Sequence, residues 1–420
     1  MRVMELIRIF INCILFVLIF ISNSVAQTYG CTDPLATNYN SSATKNDGSC
    51  IYSASSVTPA ASFALAAAID ETSGLISWNN CLWTHNDNDD IFLYALDSLD
   101  GSVIQSYQLT GTLNKDWEEI SHDNDFIYIG DFGNNSNGNR TDLKILRIRK
   151  NSIFINPLKI DTINFSYSDQ TDFTPAGSNY TDFDCEAFIV SSDSIYLFTK
   201  QWVSQKTSVY SLPKTPGTYM AKKKSTCDIE GLITGSAYLQ SKKLIVLCGY
   251  STFLEPFLYL LYDFNDSDFF SGNKRKISIP LSFHQVEGIA TTNGLKYYIS
   301  NERFTYSTFL TVSQKLHIIN LNSFLEDYIE SIPSYTIETE INNTYTIFPN
   351  PAENYIKVRR NDYYNQEVYS ILNITGQIIF TGILSGEEDQ VDISSLSAGL
   401  YLLKVGDKKL HYFKVLKKLR

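Results

Sequence analysis

Residues 284–301 read HQVEGIATTNGLKYYISN, and the centre of this stretch places a glutamate and a glycine at the start of an apolar run. The pattern acidic-x-Glu-small-apolar recurs along the chain, with an amide in the first position of this copy. The stronger copies are residues 116–120, 184–188, 228–232 and 285–289, and a weaker copy with serine in the glutamate position is 71–75. A pattern that returns in this way indicates a repeated structural unit.

A second apolar run follows each copy, and further short runs separated by Gly, Asn and Asp precede the next one. The copies are 45, 68, 44 and 57 residues apart. A repeat of about 40 to 50 residues with four short strands is typical of a β-propeller blade. We therefore predict a five-bladed propeller over residues 55–334, closed by a strand within residues 61–68. The alternatives are a sixth, degenerate blade between residues 305 and 340, and a β-sandwich in place of the propeller.

The composition is that of an all-β, exported protein. Tyr (27) and Phe (25) are abundant and only 19% of residues are charged, which favours strands. Residues 1–26 combine arginines, an apolar run and small residues before Gln27, as a signal peptide does. An uncleaved anchor is the alternative, but Asn12 interrupts the run and a membrane span needs about 20 apolar residues. No later segment of the sequence has the length and hydropathy of a membrane span.

The net charge argues against nucleic acid as a partner. The full chain carries −11, and loss of two arginines and one glutamate with residues 1–26 makes the mature chain −12. A surface this acidic repels phosphate backbones.

Residues 27–54 form a short module bracketed by two cysteines. The segment is dense in Asn, Asp, Ser and Gly and cannot build a core, so we predict a Cys31–Cys50 disulfide, worth about 3 kcal/mol for a loop of this size. It resembles a cysteine-bracketed repeat of secreted proteins of marine Bacteroidetes. Its oxygen-bearing side chains either hold calcium or belong to a polar spacer; they are Asp33, Asn38, Asn40 and Asp47.

Three ordered motifs mark the C-terminal region: YTIFPNPA at 345–352, NITGQ at 373–377 and DISSLSAGLYL at 392–402. Together they resemble the type A C-terminal sorting domain of the Bacteroidetes type IX secretion system. The resemblance implies a small Ig-like β-sandwich over residues 345–420 behind a linker at 335–344. It also implies recognition by the type IX machinery, passage across the outer membrane, and a secreted or cell-surface protein. The residues that carry it are Pro349, Asn350, Pro351, Gly376, Gly399 and Tyr401.

In a propeller, the loop into the innermost strand and the end of the second strand open on the same face. The repeated glutamates would then form a ring at one mouth of the channel, joined by side chains at the second-strand ends. Carboxylates around one axis repel each other unless a cation sits between them, and oxygen ligands favour Ca²⁺. The other reading is structural, with each glutamate accepting backbone N–H bonds from neighbouring blades. The predicted rim is Glu118, Glu186, Glu230, Glu287, Asp131 and Asn301.

The Glu-Gly-apolar pattern and the GDFGNN loop at 130–135 resemble, weakly, phytase-esterase-like and gluconolactonase-like propellers. That resemblance implies calcium-assisted hydrolysis of an ester, lactone or phosphoester, with His85, Lys200 or Arg303 binding an anionic group. A surface protein that binds an extracellular ligand or partner is the first hypothesis and a hydrolase the alternative, so enzymatic activity stays open. We also consider a disulfide between Cys185 and Cys227, placed at the starts of adjacent inner strands.

Overall fold

The computed structural model describes residues 27–88, 90–154, 158–306, 309–332, 345–360, 366–373, 376–406 and 411–418. The predicted signal peptide and linker lie outside these residues. The chain divides into two compact units, Met1–Pro333 and Ser334–Arg420. No helix in the described ranges is long and apolar enough to cross a membrane.

The first unit is a propeller of five four-stranded blades. The innermost strand of each blade pairs with the second, the second with the third and the third with the outermost, all antiparallel. Blade 1 comprises β4 (Thr72–Trp78), β5 (Cys81–Asn86), β6 (Phe92–Leu96) and β7 (Val103–Gln108). Blade 2 comprises β8 (Trp117–His122), β9 (Phe126–Asp131), β10 (Lys144–Arg149) and β11 (Ile160–Tyr167). Blades 3 and 4 comprise β12 (Asp184–Val190), β13 (Ser194–Lys200), β14 (Lys206–Pro213), β15 (Gly217–Asp228), and β16 (Leu232–Leu239), β17 (Leu244–Tyr250), β18 (Pro256–Tyr262), β19 (Asn273–Ser278).

Blade 5 is completed by a strand from the other end of the chain. It comprises β20 (Val286–Thr291), β21 (Lys296–Asn301), β24 (Lys315–Asn320) and the N-terminal β3 (Ala61–Ala64). The β3 strand pairs antiparallel with β24, with Phe63 opposite Leu316. This pairing confirms the predicted ring closure. Residues 304–332 form a hairpin, a blade strand and a helix rather than a sixth blade: β22 (Phe304–Tyr306), β23 (Leu310–Val312), β24 and α1 (Asn322–Ser331).

Hydrophobic clusters fill the interfaces between successive blades. One cluster joins blades 2 and 3 through Phe132, Phe165 and Phe188, and in the same sheet β11 pairs in parallel with the long outer strand β15. Another joins blades 4 and 5 and is covered by Leu325 and Ile329 of α1. Alternating apolar residues on both faces of each blade therefore hold the ring together. Short 3-10 turns occupy Ala67–Ile69, Lys150–Ser152 and Gln240–Lys242.

The Cys31–Cys50 disulfide is present, with the sulfur atoms 1.97 Å apart. Its module, with β1 (Tyr29–Gly30) paired in parallel to β2 (Lys45–Asn46), packs against blade 4. A carboxylate oxygen of Asp33 accepts bonds from the hydroxyls of Tyr52 (2.7 Å) and Tyr262 (2.5 Å). Asn46 donates to Asp263 and Asn273, each at 2.9 Å. The proposed calcium ligands Asn38, Asn40 and Asp47 accept backbone N–H bonds within the module's own turns.

The second predicted disulfide is absent. Cys185 and Cys227 are both free thiols. Cys185 lies on the inner strand β12, whereas Cys227 lies near the end of the outer strand β15, with its sulfur 3.7 Å from the Tyr259 hydroxyl. The prediction was wrong because it placed Cys227 at the start of the next inner strand.

The second unit packs a three-stranded sheet and a four-stranded sheet around one core that includes Ile356, Ile371 and Leu403. The side-chain amide of Asn350, in the PNP motif, makes two hydrogen bonds to the backbone of the last strand. It donates to Lys414 O (2.7 Å) and accepts from Leu416 N (2.9 Å). Gly376 turns the chain at φ +80° and the Tyr401 hydroxyl donates to Ser397 O. The strands are β25 (Tyr345–Phe348), β26 (Tyr355–Arg360), β27 (Glu367–Leu372), β28 (Ile378–Leu384), β29 (Glu388–Asp392), β30 (Gly399–Val405) and β31 (His411–Lys417).

Removal of β3 is expected to open the ring. A mature chain that starts at Leu65 leaves the edge of β24 unpaired, so its melting temperature should fall steeply and the protein should associate through that edge. A chain that starts at Ser55 loses only the disulfide module and keeps β3, so it should stay monomeric with a smaller loss. Thermal unfolding and size-exclusion chromatography compare the two; equal melting temperatures would contradict the role given to β3.

Candidate functional site

Each innermost strand carries a β-bulge near its first residues. The register shifts fall between Trp117 and Glu119 in blade 2, Cys185 and Ala187 in blade 3, and Val286 and Gly288 in blade 5. Equivalent shifts occur in blades 1 and 4. A bulge inserts one residue without a pairing partner and re-aims its side chain. The inserted residues in blades 2, 3 and 5 are Glu118, Glu186 and Glu287.

These three glutamates are almost fully buried and line one cavity at the mouth of the channel. Glu230 does not join them. It is exposed, has a φ of +50°, and precedes the first residue of β16. The bulge of blade 4 falls at Thr234, whose hydroxyl donates to Val286 O. The predicted copy at 228–232 is therefore four residues too early, because Glu230-Gly231 imitates Glu287-Gly288 while Thr234-Gly235 holds the equivalent position.

A second row of side chains lies at or directly after the ends of the second strands. Asp87, Lys200, Tyr250 and Glu302 from this row line the cavity. The predicted rim residues Asp131 and Asn301 lie one position before the cavity-lining position of their second strands, and both are fully buried. Asp131 binds Arg140 (2.8 Å) and Lys144 (2.7 Å). Asn301 accepts from His317 (2.9 Å). Since side chains alternate along a strand, one position separates the channel face from the interior of the ring.

The three predicted anion-binding residues lie in three different environments. Lys200 lines the cavity. His85 is fully buried behind it, and burial lowers the pKa of its imidazole to about 4, so it is neutral at pH 7. Arg303 lies outside the cavity with its side chain about half exposed (53%), 3.8 Å from Asp70. An anion-binding cluster of these three groups is therefore not formed.

The cavity has a volume of about 180 Å³, room for a few water molecules or an ion with its remaining ligands. Its acidic groups outnumber its basic ones by six to one. Because Glu118, Glu186 and Glu287 are almost fully buried, these charges interact more strongly than they would in water. The acidic groups are Asp87, Asp116, Glu118, Glu186, Glu287 and Glu302, and the basic one is Lys200.

One side of the cavity is electrostatically satisfied. The Lys200 ammonium binds Glu186 (2.5 Å) and the Tyr250 hydroxyl (3.0 Å), and it lies 4.6 Å from the centre of the Trp202 ring. Burial opposes the charge of this ammonium, yet Glu186 and the other acids hold its pKa well above the usual value. Lys200 is thus committed to Glu186.

The other side is not satisfied. Glu71, Asp87 and Glu302 each offer a carboxylate oxygen, and these oxygens lie within 4.8 Å of one another. Among the His, Cys, Asp and Glu side chains that the structure describes, these three form the group spaced closely enough to share a metal ion. In the cavity that Asp87 and Glu302 line, Oε2 of the buried Glu287 has no hydrogen-bond partner. The sequence predicted rim side chains at the second-strand ends, where Asp87 and Glu302 lie. It gave no signal for Glu71, which occupies the first position of the weak copy 71–75.

Burial and mutual repulsion raise the pKa values of four carboxyls that line the cavity. The pKa of Asp87 rises to about 7 through burial and then the charges of Glu71 and Glu287. Burial also raises the pKa of Glu287 to about 7 and that of Asp116 to about 6. The pKa of Glu302 lies well above its usual value for the same reasons. Without a cation, the site must therefore retain protons near neutral pH.

Glu119, directly after the blade 2 bulge, spans the channel below this cavity. Its carboxylate accepts bonds from Ile120 N (3.0 Å) and, on blade 4, from Ser236 N (2.7 Å) and Oγ (3.3 Å). In the other four blades the equivalent position is Gly or Ala, and a Cβ on Gly74 would lie 2.6 Å from Ile120 N. Glu119 thus performs the structural role considered for the glutamates, tying two non-adjacent blades together.

Truncation of that tie should destabilise the ring. Glu119→Ala leaves the buried Ser236 N–H without its acceptor, at an expected cost of about 1 to 3 kcal/mol in the free energy of unfolding. Glu119→Gln keeps the shape and one acceptor oxygen and should cost less. Chemical denaturation measures both, and a Glu119→Ala protein within about 0.5 kcal/mol of the wild type would show that the contact is dispensable.

The raised pKa of Asp87 predicts a pH-dependent stability. A carboxyl with a higher pKa in the folded state keeps a proton that unfolding releases, so its contribution falls as pH rises from about 4 to about 7. Relative to wild type in chelator, Asp87→Asn should therefore gain on the order of 2 kcal/mol between pH 5 and pH 8, since one pKa unit equals about 1.4 kcal/mol. The comparison cancels the opposite titration of buried histidines such as His85. A pH-independent difference in denaturation midpoint would refute it.

Residues 346–418 match the family model described as the secretion system C-terminal sorting domain. No protein of curated function matches the sequence. Among solved structures, a chain of the "Crystal Structure of Mitotic Checkpoint Complex" aligns at 14% identity and a TM-score of 0.34, covering 62% of this chain and 95% of that one. The "Crystal structure of RRP9 WD40 repeats" aligns at 9% identity and a TM-score of 0.36, covering 64% and 100%.

These structural likenesses are distant, and the propeller is established here by its own strand pairing. The sorting-domain match agrees with the three motifs and with the separate C-terminal unit. It covers the region in which Asn350, Gly376 and Tyr401 make the contacts described above. The chain is therefore a cargo of the type IX secretion system, a secreted or cell-surface protein in which a C-terminal sorting domain follows a β-propeller.

Proposed function

We propose that this protein is an extracellular binding protein whose propeller holds Ca²⁺ at the mouth of its channel and engages its ligand or partner there. The observation that carries the proposal is that six carboxyls and one ammonium line a single small cavity. The ammonium is already paired with Glu186, so the other five carboxyls either keep protons or share a cation from solution.

The donor set favours Ca²⁺ over a transition metal. The cavity is lined by carboxylates together with amide and hydroxyl oxygens, such as those of Asn135, Asn179 and Ser73, and neither Cys nor His is among its lining residues. Hard oxygen ligands in a flexible arrangement suit Ca²⁺, whereas zinc and copper prefer nitrogen and sulfur. The export route supports the same ion, since residues 1–26 are proposed to be cleaved on the way out and extracellular fluid commonly contains calcium.

The hydrolase alternative has less support. It required Glu118, Glu186, Glu230 and Glu287 to converge on one ion, and Glu230 is exposed outside the cavity. Its anion-binding group is also not assembled, because His85 is buried and neutral and Lys200 is bound to Glu186. We therefore retain binding as the function.

Calcium should stabilise the mature, full-length protein. A ligand that binds only the folded state at 100 times its dissociation constant adds about 2.7 kcal/mol to the free energy of unfolding. The melting temperature of the chelator-treated protein should accordingly rise as CaCl₂ is added. NaCl at matched ionic strength controls for charge screening. A melting temperature that responds equally to both salts would refute the proposal.

A further inference from the structure

We propose that the cation is held off the channel axis, at the seam between blades 5 and 1, by the carboxylates of Glu71, Asp87 and Glu302, with the buried carboxylate of Glu287 in the adjoining cavity. This inference rests on the proposed function and specifies it. It replaces a symmetric ring of one glutamate per blade by a cluster at one seam.

The spacing of the three carboxylates fits a shared ion. Oxygens bound to one Ca²⁺ lie 2.3 to 2.6 Å from it, so any two of them are at most about 5 Å apart. The oxygens of Glu71, Asp87 and Glu302 all lie within 4.8 Å of one another. All three residues are half-buried, which leaves a route from solvent and room for water ligands.

Backbone hydrogen bonds hold the ligands in place across the seam. Asp87 N donates to Glu71 O (3.1 Å), which joins two of the ligands directly. Arg303 N donates to Asp70 O (2.7 Å), which joins the segment after Glu302 to the segment before Glu71. The Gln285 side-chain amide donates to Glu302 Oε1 (2.6 Å) and fixes that carboxylate. The cluster is therefore positioned by the closure of the ring itself.

A separate observation points to a missing ligand at this side. Glu287 is 94% buried, since only 6% of its surface is exposed, and its Oε2 has no hydrogen-bond partner. A buried carboxylate oxygen without a partner costs a large part of its hydration free energy. Glu287 lines the same cavity as Asp87 and Glu302. Glu287 is outside the set of carboxylates spaced to share one ion, so a cation at the seam balances its charge across the cavity rather than binding Oε2 directly.

The acidic groups of blade 3, on the opposite side of the cavity, already have partners. Glu186 is bound to Lys200, which also contacts Tyr250. Asp184, behind it, accepts bonds from Asn134 N (2.6 Å) and Trp202 Nε1 (2.8 Å). Glu118 and Asp116 lie in blade 2, where Arg140 approaches Asp116 to 3.9 Å. Among the described residues, the carboxylates spaced closely enough to share one ion are those at the seam between blades 5 and 1.

Calcium titration of matched variants tests the position. Isothermal titration of the mature, full-length protein with CaCl₂ is compared for wild type, Glu302→Gln, Glu71→Gln and Glu118→Gln. Each variant removes one carboxylate charge from the same mouth, so a general field effect would weaken all three equally. We expect Glu302→Gln and Glu71→Gln to weaken binding by at least about tenfold, the smaller loss seen when even an outer partner of a metal ligand is removed. Glu118→Gln should stay within about threefold of wild type, less than half of that tenfold loss on a free-energy scale.

A folding readout accompanies the titration. In chelator, Glu302→Gln and Glu71→Gln remove repulsion, so neither should melt below the wild type. Glu71 lies in a loop, so its variant serves if Glu302→Gln does not fold. Equal weakening in all three variants, or weakening by Glu118→Gln alone, would overturn the seam site while leaving calcium binding intact. Absence of calcium binding in the wild type would instead overturn the proposed function.

Discussion

The whole site depends on the crowding of five innermost strands around one axis. Where β4, β16 and β20 approach their neighbours there is no room for a side chain: a Cβ on Gly235 would lie 2.3 Å from Glu287 O, and one on Gly288 would lie 2.7 Å from the Leu75 Cβ. The bulge one residue earlier relieves the same crowding by bending each strand and releasing one residue from the ladder. The released residue is the one that reaches the channel.

Hydrogen bonds and an ion pair explain how buried acidic residues are tolerated at this crowded axis. Glu119 takes the position where other blades have Gly or Ala, and its carboxylate is satisfied by donors from β8 and β16. Glu186 is satisfied by Lys200. Buried charges are stable only when they are paired in this way. Glu287 Oε2 and the carboxylates of Glu71, Asp87 and Glu302 form the part of the mouth where such pairing is incomplete, and we assign the cation to the last three.

The glutamate motif marks the inner strands correctly but not every residue that faces the channel. The repeat was visible because every blade needs the same turn into its inner strand, and three of the four glutamates predicted from it do line the cavity. The prediction for Glu230 was wrong because it followed the residue pattern rather than the strand register. Thr234 occupies the predicted structural position and bears no carboxylate. The predictions for Asp131 and Asn301 were wrong by one position along the strand. One position is enough to move a side chain from one face of a strand to the other.

The sequence by itself determined the export route, the all-β repeat, the Cys31–Cys50 bridge and the acidic character of the channel mouth, because each is written in local patterns of residues. Only the tertiary structure decided which acids face one another. Glu71, Asp87 and Glu302 come from segments that meet only after β3 pairs with β24 and brings blade 5 against blade 1. No local pattern encodes that juxtaposition, since it arises from ring closure between residues more than 200 positions apart.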